Sequence, residues 1–401
     1  MLTLDKVYQA HFVLKEVARK TDLIRAPKMF EGADVYLKTE NLQNTGSFKL
    51  RGAYFKMARL SDEEKKRGVV ACSAGNHAQG VALAAQKQGI DAIICVPEGA
   101  PISKVEATRS YGAKVELVRG VYDDAYNRAV EIAETTGRVM IHPFNDEDVI
   151  AGQGTIGLEI LEQLPDVEAV IVPVGGGGLI SGLAFTIKTM KPSVKIYGVQ
   201  SAGAPSMRDS IEHHRIERLP RVATIADGIA VKEPGELTYN FTNQYVDQVV
   251  TVTDDEVAVA ILELMERQKL VSEGAGAVAV AAAMFGKVDI KDKKTVCLVS
   301  GGNIDVTILS RVINRALMKE GRIADITVEL MDKPGQLVEV SSIVAKCGAN
   351  VIGCFHDKTG KETDINGCTL RISMETRNHE HVREIKKKLL DAGFKFVGED
   401  A

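Results

Sequence analysis

Between residues 68 and 300 the chain alternates short apolar runs with stretches of helical periodicity, and this alternation constrains the fold more than any other feature. "GVVACSA" (68–74), "DAIICVP" (91–97), "AKVELV" (113–118), "EAVIVPV" (168–174), "VKIYGVQ" (194–200) and "KTVCLVS" (294–300) read as buried strands. "NHAQGVALAAQKQG" (76–89) and "ISKVEATRSYG" (102–112) read as helices between them. Strands separated by helices cannot pair as hairpins, so the pattern predicts an α/β fold: a mostly parallel sheet with helices on both faces. In open sheets of this kind ligands collect where strands end and helices begin, so the loop after each strand is the place to look for chemistry.

Near residue 322 the texture changes. "ADITVELMDKPGQLVEVSSIVAKCGANVIGCFHDK" reads strand, turn, helix, strand, and "CTLRISMETRNHEHVREIKKKLLDAGFKFV" adds strand, helix, strand. The resulting β-α-β-β-α-β unit predicts a small α+β ferredoxin-like domain, an antiparallel sheet with two helices on one face. A boundary is expected near Gly321, after the charged helix "INRALMKEGR", giving domains 1–321 and 322–401. A chain of 401 residues is long enough for two or three such cores.

Composition removes several classes of function. A formal net charge of -4 argues against a nucleic-acid surface, which would need a basic stripe, and the absence of Trp with few Phe and Tyr argues against base-stacking platforms. Cys72, Cys95, Cys297, Cys347, Cys354 and Cys368 form no C-x-x-C pair, and their spacing matches no zinc ligand set. Cys72, Cys95 and Cys297 lie in apolar runs and are expected to be buried thiols. The first twenty residues mix charge through an amphipathic helix, unlike a signal peptide, and no apolar stretch is long enough to span a bilayer. A cytoplasmic, reducing location is the expectation.

Three strand ends carry polar, glycine-rich loops. In "VIVPVGGGGLISGLAF" a strand empties into Gly175, Gly176, Gly177 and Gly178 before a helix, where backbone N–H groups can converge on an anion at the positive helix end. The run is neither a dinucleotide fingerprint nor a Walker loop, and a simple tight turn is the alternative. "CSAGNHAQG" places Ser73, Asn76 and His77 at the next tip, and "LVSGGNID" places Ser300 and Asn303 at the third. Helix capping is the alternative at both. "TGSFKLRGA" sets Lys49 among Gly46, Ser47 and Phe48, and a lysine becomes nucleophilic only where burial or local field destabilises its charge. An anion cradle, an amide, a hydroxyl and such a lysine are the inventory for pyridoxal phosphate.

The set "TGSFKLRGA", "SAGNHAQG", "HPFNDEDVIAGQGT", "PVGGGGLISG" and "SGGNID", in this order, strongly resembles the threonine ammonia-lyase (threonine dehydratase) family. That family belongs to the tryptophan synthase β-like, fold type II group of pyridoxal 5'-phosphate enzymes. The resemblance spans about residues 5 to 320. It implies a two-lobed catalytic domain, with a small lobe of roughly residues 40–145 inserted in the large one. Lys49 would carry the cofactor covalently and take the substrate's α-proton, and Phe48 would pack beside the cofactor. Asn76 would meet the ring's 3-oxygen, Gly175 to Gly178 and Leu179 the phosphate, and Ser300 the pyridine nitrogen. Ser73, with the backbone around Asn76 and His77, would hold the substrate carboxylate. The implied reaction turns L-threonine into 2-oxobutanoate and ammonia, and L-serine into pyruvate.

Two departures from related serine racemases refine the expectation. Ala74 stands where those enzymes carry a second serine, which favours dehydration over racemisation. Gln200 and Ser206 stand where they carry metal-binding carboxylates, so no divalent metal is expected there, while a monovalent ion stays open. The tail from "DKPGQL" resembles an ACT domain, implying an amino-acid effector near Gly335, Gln336 and Leu337 and a homo-oligomer, dimer or tetramer. A domain that packs without a ligand is the alternative there, and one such module leaves biosynthetic and catabolic roles both open. For the whole chain the alternatives are a serine or hydroxyaspartate dehydratase, a racemase, or a catalytically silent amino-acid sensor.

Overall fold

The computed structural model describes residues 2–30, 32–358 and 366–397. It divides into two compact units, Met1–Leu309 and Ser310–Ala401. The division falls within the helix Val306–Lys319, upstream of Gly321. Hydrogen bonds explain why most of that helix belongs with the second unit: His379 Nε2 donates to the Lys319 carbonyl at 2.8 Å, and Thr376 Oγ1 to the Gly321 carbonyl at 2.6 Å.

The strands of the first unit are Leu23–Arg25 (β1), Asp34–Lys38 (β2), Val69–Cys72 (β3), Ala92–Pro97 (β4), Lys114–Val118 (β5), Val139–Met140 (β6), Ala169–Pro173 (β7), Lys195–Ser201 (β8), Gln248–Val252 (β9) and Lys294–Leu298 (β10). They build two sheets, one ordered β1-β2-β10-β7-β8-β9 and the other β5-β4-β3-β6. Every pairing is parallel except that of β1 with β2. The second sheet occupies the chain between β2 and β7, so it is an insertion in the larger one. β3 and β7 are buried along their whole length, as strands covered on both faces must be, and for that reason read as unbroken apolar runs.

The six strands anticipated from the apolar runs are all present, but β5, expected to be buried, is half-exposed because it forms the edge of its sheet. β1, β2, β6 and β9 were not legible in that way. β2, "DVYLK", ends in Lys38, whose fully buried amine is satisfied by Glu159 Oε2 at 2.6 Å and the Thr21 carbonyl at 2.7 Å. Glu159 also meets Arg51 Nη1 at 2.6 Å, and Arg51 Nη2 meets Glu40 Oε1 at 2.8 Å. This chain of four charges is sealed in the core beneath the helix Lys49–Ala58, each charge paired and hydrogen-bonded as burial requires.

In the second unit Ile323–Met331 (β11), Asn350–Asp357 (β12), Gly367–Glu375 (β13) and Lys395–Phe396 (β14) form an antiparallel sheet ordered β12-β13-β11-β14. With the helices Gln336–Lys346 and His379–Asp391 this is the β-α-β-β-α-β order read from the sequence. β11 and β13 alternate buried and exposed positions, and Val328, Leu330, Leu370 and Ile372 join Val340, Val344, Ile385 and Leu389 in one core. The parts of the expected 322–401 domain at 359–365 and 398–401 lie outside the described residues. Among the described residues no helix is long and apolar enough to cross a membrane.

Candidate active site

A cavity of about 760 Å³ opens in the first unit at the C-terminal ends of β3, β7 and β10. Its lining brings together Phe48, Lys49, Ser73, Asn76, His77, Gly175, Gly176, Gly177, Gly178, Leu179 and Ser300. Gly335, Gln336 and Leu337 lie instead in the second unit, where Gly335 (φ +98°) precedes the helix Gln336–Lys346 and Leu337 is exposed.

Lys49 is the first residue of the helix Lys49–Ala58. Backbone pairing fixes its approach: the Phe48 N–H donates to the Ser300 carbonyl at 3.2 Å, and the Gly302 N–H to the Gly46 carbonyl at 2.9 Å. The lysine-bearing loop is thus stitched to the loop after β10. From the other side, Gly80 lets the helix Asn76–Gln88 press against it; a Cβ at Gly80 would sit 3.0 Å from Leu50 N. The Lys49 ammonium donates to the Pro143 carbonyl at 2.8 Å. Desolvation brings the amine down to about 8, against the opposing charge of Glu273. A lysine so placed is neutral in about a tenth of molecules at about pH 7 and in about half at about pH 8, and the neutral amine is the form that can act as nucleophile or base.

The glycine run leaves β7 and enters the helix Gly178–Met190. Gly177, at φ +95°, takes the left-handed turn that connects them. The first helical bond runs from the Ser181 N–H to the Gly177 carbonyl, so the N–H groups of Gly178 and Leu179 stand at the positive helix end without a partner inside the helix. Thr238 Oγ1 donates to the Gly176 carbonyl at 2.6 Å and so holds that peptide in one orientation. Phe144 closes over the run: a Cβ at Gly178 would lie 2.8 Å from Phe144 Cα.

The loop after β3 does not cap its helix through Ser73 or Asn76. Gly75 occupies the cap position without a side-chain bond, and Ser73 Oγ accepts the Gly75 N–H at 3.1 Å. Asn76 is held at both ends of its amide. Its Nδ2 donates to Glu273 Oε1 at 2.5 Å, and its Oδ1 accepts from Asn303 Nδ2 at 2.7 Å. Asn303 also donates to the Thr45 carbonyl at 2.7 Å, so it ties the lysine loop to the asparagine loop instead of capping a helix. His77 donates through Nε2 to the Ile141 carbonyl at 2.8 Å. Burial and the Lys49 charge lower it to about 3, and the same causes lower His142 to about 4, so both rings stay neutral. Ser300 is buried, its Oγ 3.4 Å from the Ala275 carbonyl.

Glu273, Phe144 and Pro143 also line the cavity, Thr238 backs its glycine run, and none of the four carried an assigned role in the sequence reading. Glu273 is held by burial, then by the Asp227 charge, at about 7, offset in part by its bond from Asn76. Elsewhere, Gln200 Oε1 accepts the Arg208 N–H at 2.8 Å and Ser206 Oγ donates to the Val231 carbonyl at 2.8 Å, so both are used within the protein. All six cysteines are free thiols, with Cys72, Cys95 and Cys297 buried as expected.

Pyridoxal phosphate fits this donor set. The volume lies within the range of cofactor pockets, the helix end offers N–H donors to a phosphate, and the glycines let Phe144, Ile229 and Thr238 close in on the run where a Cβ would clash. The profile of the "Pyridoxal-phosphate dependent enzyme" family matches residues 14–302. The L-threonine ammonia-lyase of Thermotoga maritima is 53% identical over 98% of each chain. The catabolic L-threonine dehydratase of Escherichia coli is 46% identical over 78% of this chain and 96% of its own. The processed threonine deaminase isoform 2 of Solanum lycopersicum superposes with a TM-score of 0.75 at 40% identity, over 79% of this chain and 90% of its own. The chain belongs to the pyridoxal-phosphate-dependent enzyme family, and its catalytic unit has the fold type II architecture.

Proposed function

We propose that this protein is a pyridoxal-phosphate-dependent L-threonine ammonia-lyase, forming 2-oxobutanoate and ammonia and acting also on L-serine. The observation that carries the reading is the desolvated Lys49 amine, at about 8, in the cavity that also holds the glycine-lined helix end. Its relatives named for the same reaction support the substrate.

When bound, the cofactor supplies an electron sink for the carbon next to the substrate amine. Phe48, Asn76, Ser300 and the N–H groups from Gly175 to Leu179 would hold it. Lys49 Nζ would tether it and, once released, take the α-proton. Ser73 and the N–H groups of the loop after β3 would orient the substrate carboxylate. Neutral His77 and His142 would leave that loop without a competing cation. Ala74 offers no acid on the opposite face, which favours loss of the β-hydroxyl over racemisation. The cavity walls would exclude water until the β-hydroxyl has left.

The second unit is read as an ACT-type module that binds an amino acid near Gly335, Gln336 and Leu337, within a dimer or tetramer. Its strand order supports the reading. The Escherichia coli relative matches almost to its full length while leaving part of this chain unmatched, as an appended module would. The six free thiols go with a reducing, cytoplasmic setting.

The test is product analysis of the cofactor-loaded protein with L-threonine, L-serine and 3-hydroxyaspartate. The expected result is 2-oxobutanoate from threonine at the highest kcat/KM. A Lys49→Ala variant should lose at least about a thousandfold in rate and the borohydride-reducible adduct. D-serine as the main product from L-serine, or tight amino-acid binding with no turnover, would overturn the assignment.

A further inference from the structure

The second unit gathers three metal-ligating side chains from three adjacent strands. His356 lies on β12, Cys368 on β13, and Asp332 directly follows β11. Register puts them on one face. His356 pairs with Leu370 and Leu330 with Cys368, so His356, Cys368 and, two residues after Leu330, Asp332 share the face that carries the core. The Asp332 N–H still donates to the Asn366 carbonyl at 2.9 Å, which keeps Asp332 in strand register past the end of β11. The three ligand atoms lie within 4.8 Å of one another, and His356 Nε2 is 2.8 Å from Cys368 Sγ. No pair among them is close in sequence, which is why cysteine spacing gave no hint of the cluster.

We propose that Asp332, His356 and Cys368 form a site for a borderline-soft divalent cation of the zinc class. The donor set, one thiolate sulfur, one imidazole nitrogen and one carboxylate oxygen, suits zinc and excludes the hard cations that need oxygen alone. Tetrahedral coordination with zinc's usual bond lengths separates sulfur and nitrogen by about 3.5 Å. Small rotations that part His356 from Cys368 and draw Asp332 inward therefore reach it. A fourth position would remain for water or another ligand.

Two groups must yield for an ion to enter. Cys368 Sγ is buried and donates to the Leu330 carbonyl at 3.6 Å; on coordination its proton leaves to solvent and the metal–sulfur bond replaces it. Lys358, bonded to Asp332 at 2.8 Å, is well exposed and free to swing away as the ion takes its place beside the carboxylate. The site adjoins the turn that carries Gly335, so occupancy would stiffen the entry to the helix Gln336–Lys346. The proposal stands independently of the catalytic assignment.

Cobalt(II) titrated into the full-length, cofactor-loaded and chelator-treated protein is the direct test. The expected result is a thiolate-to-cobalt charge-transfer band in the difference spectrum, saturating at one ion per chain and bleached by excess zinc. His356→Ala and Cys368→Ser should each weaken cobalt binding at least tenfold, while Cys354→Ala, on the exposed part of β12, should leave it unchanged. If Cys368→Ser fails to fold, His356→Ala, at an exposed position, decides. A wild-type protein without the band, a band that survives His356→Ala, or one abolished by Cys354→Ala would each overturn the site.

Discussion

Glu273 Oε1 lies 2.5 Å from Asn76 Nδ2, across 197 residues of sequence, and sets the charge state of the cavity wall beside Lys49. With its value raised to about 7, the carboxyl is neutral below neutrality and anionic above it. The anion favours the protonated form of Lys49. Glu273→Gln removes that influence and should move Lys49 further below 8. Cofactor capture by the apo-protein follows the neutral amine, so in the wild type its rate should rise with pH and level above about 8. In the variant the plateau should begin at lower pH, as followed by absorbance after adding pyridoxal phosphate. Identical profiles would show that the two groups are not coupled.

Gly178 has no room for a methyl group. Gly178→Ala would force Phe144, through its Cα and Cβ at 2.8 Å, off the glycine run. Overpacking of this kind costs about 1–3 kcal/mol, so cofactor affinity should fall about tenfold or more, measured by equilibrium dialysis.

Ser300→Asp probes the pyridine end of the cavity. A hydroxyl need not keep a ring nitrogen protonated, whereas an aspartate would. The variant should form less 2-oxobutanoate and a larger share of transaminated cofactor, resolved by absorbance and product chromatography. Unchanged partitioning would remove Ser300 from the account.

Arg51→Met would leave Glu40 and Glu159 buried without their shared partner. Breaking a buried pair on one side costs about 3–5 kcal/mol. The loss should be visible as a lower denaturant midpoint for the cofactor-loaded protein. Adding Glu40→Gln should restore part of it, because one uncompensated charge is then gone.

What the sequence made legible follows from which interactions are local. Lys49, the glycine run and the polar strand ends each sit in a short stretch whose composition has a direct physical reading. The buried strands β3, β4, β7, β8 and β10 were equally clear, because a strand covered on both faces is written as an apolar run. β2 was not, because Lys38 is buried only by virtue of Glu159, far away along the chain. Glu273 was hidden for the same reason: "VSEGAG" gives no sign that its carboxylate meets Asn76. For Asn303 capping was the plain alternative, and it is a tie between loops, which only the partners Thr45 and Asn76 reveal.

The ionic cluster under the helix Lys49–Ala58 has a bearing on where the nucleophile points. Arg51 sits two positions beyond Lys49, and carboxylates from two separate elements grip its guanidinium. A helix gripped in this way cannot roll about its axis, so the direction of the Lys49 side chain is set from behind, by groups that never see the substrate. Damage at Glu40 or Glu159 would then surface as misaimed chemistry in molecules that are still folded.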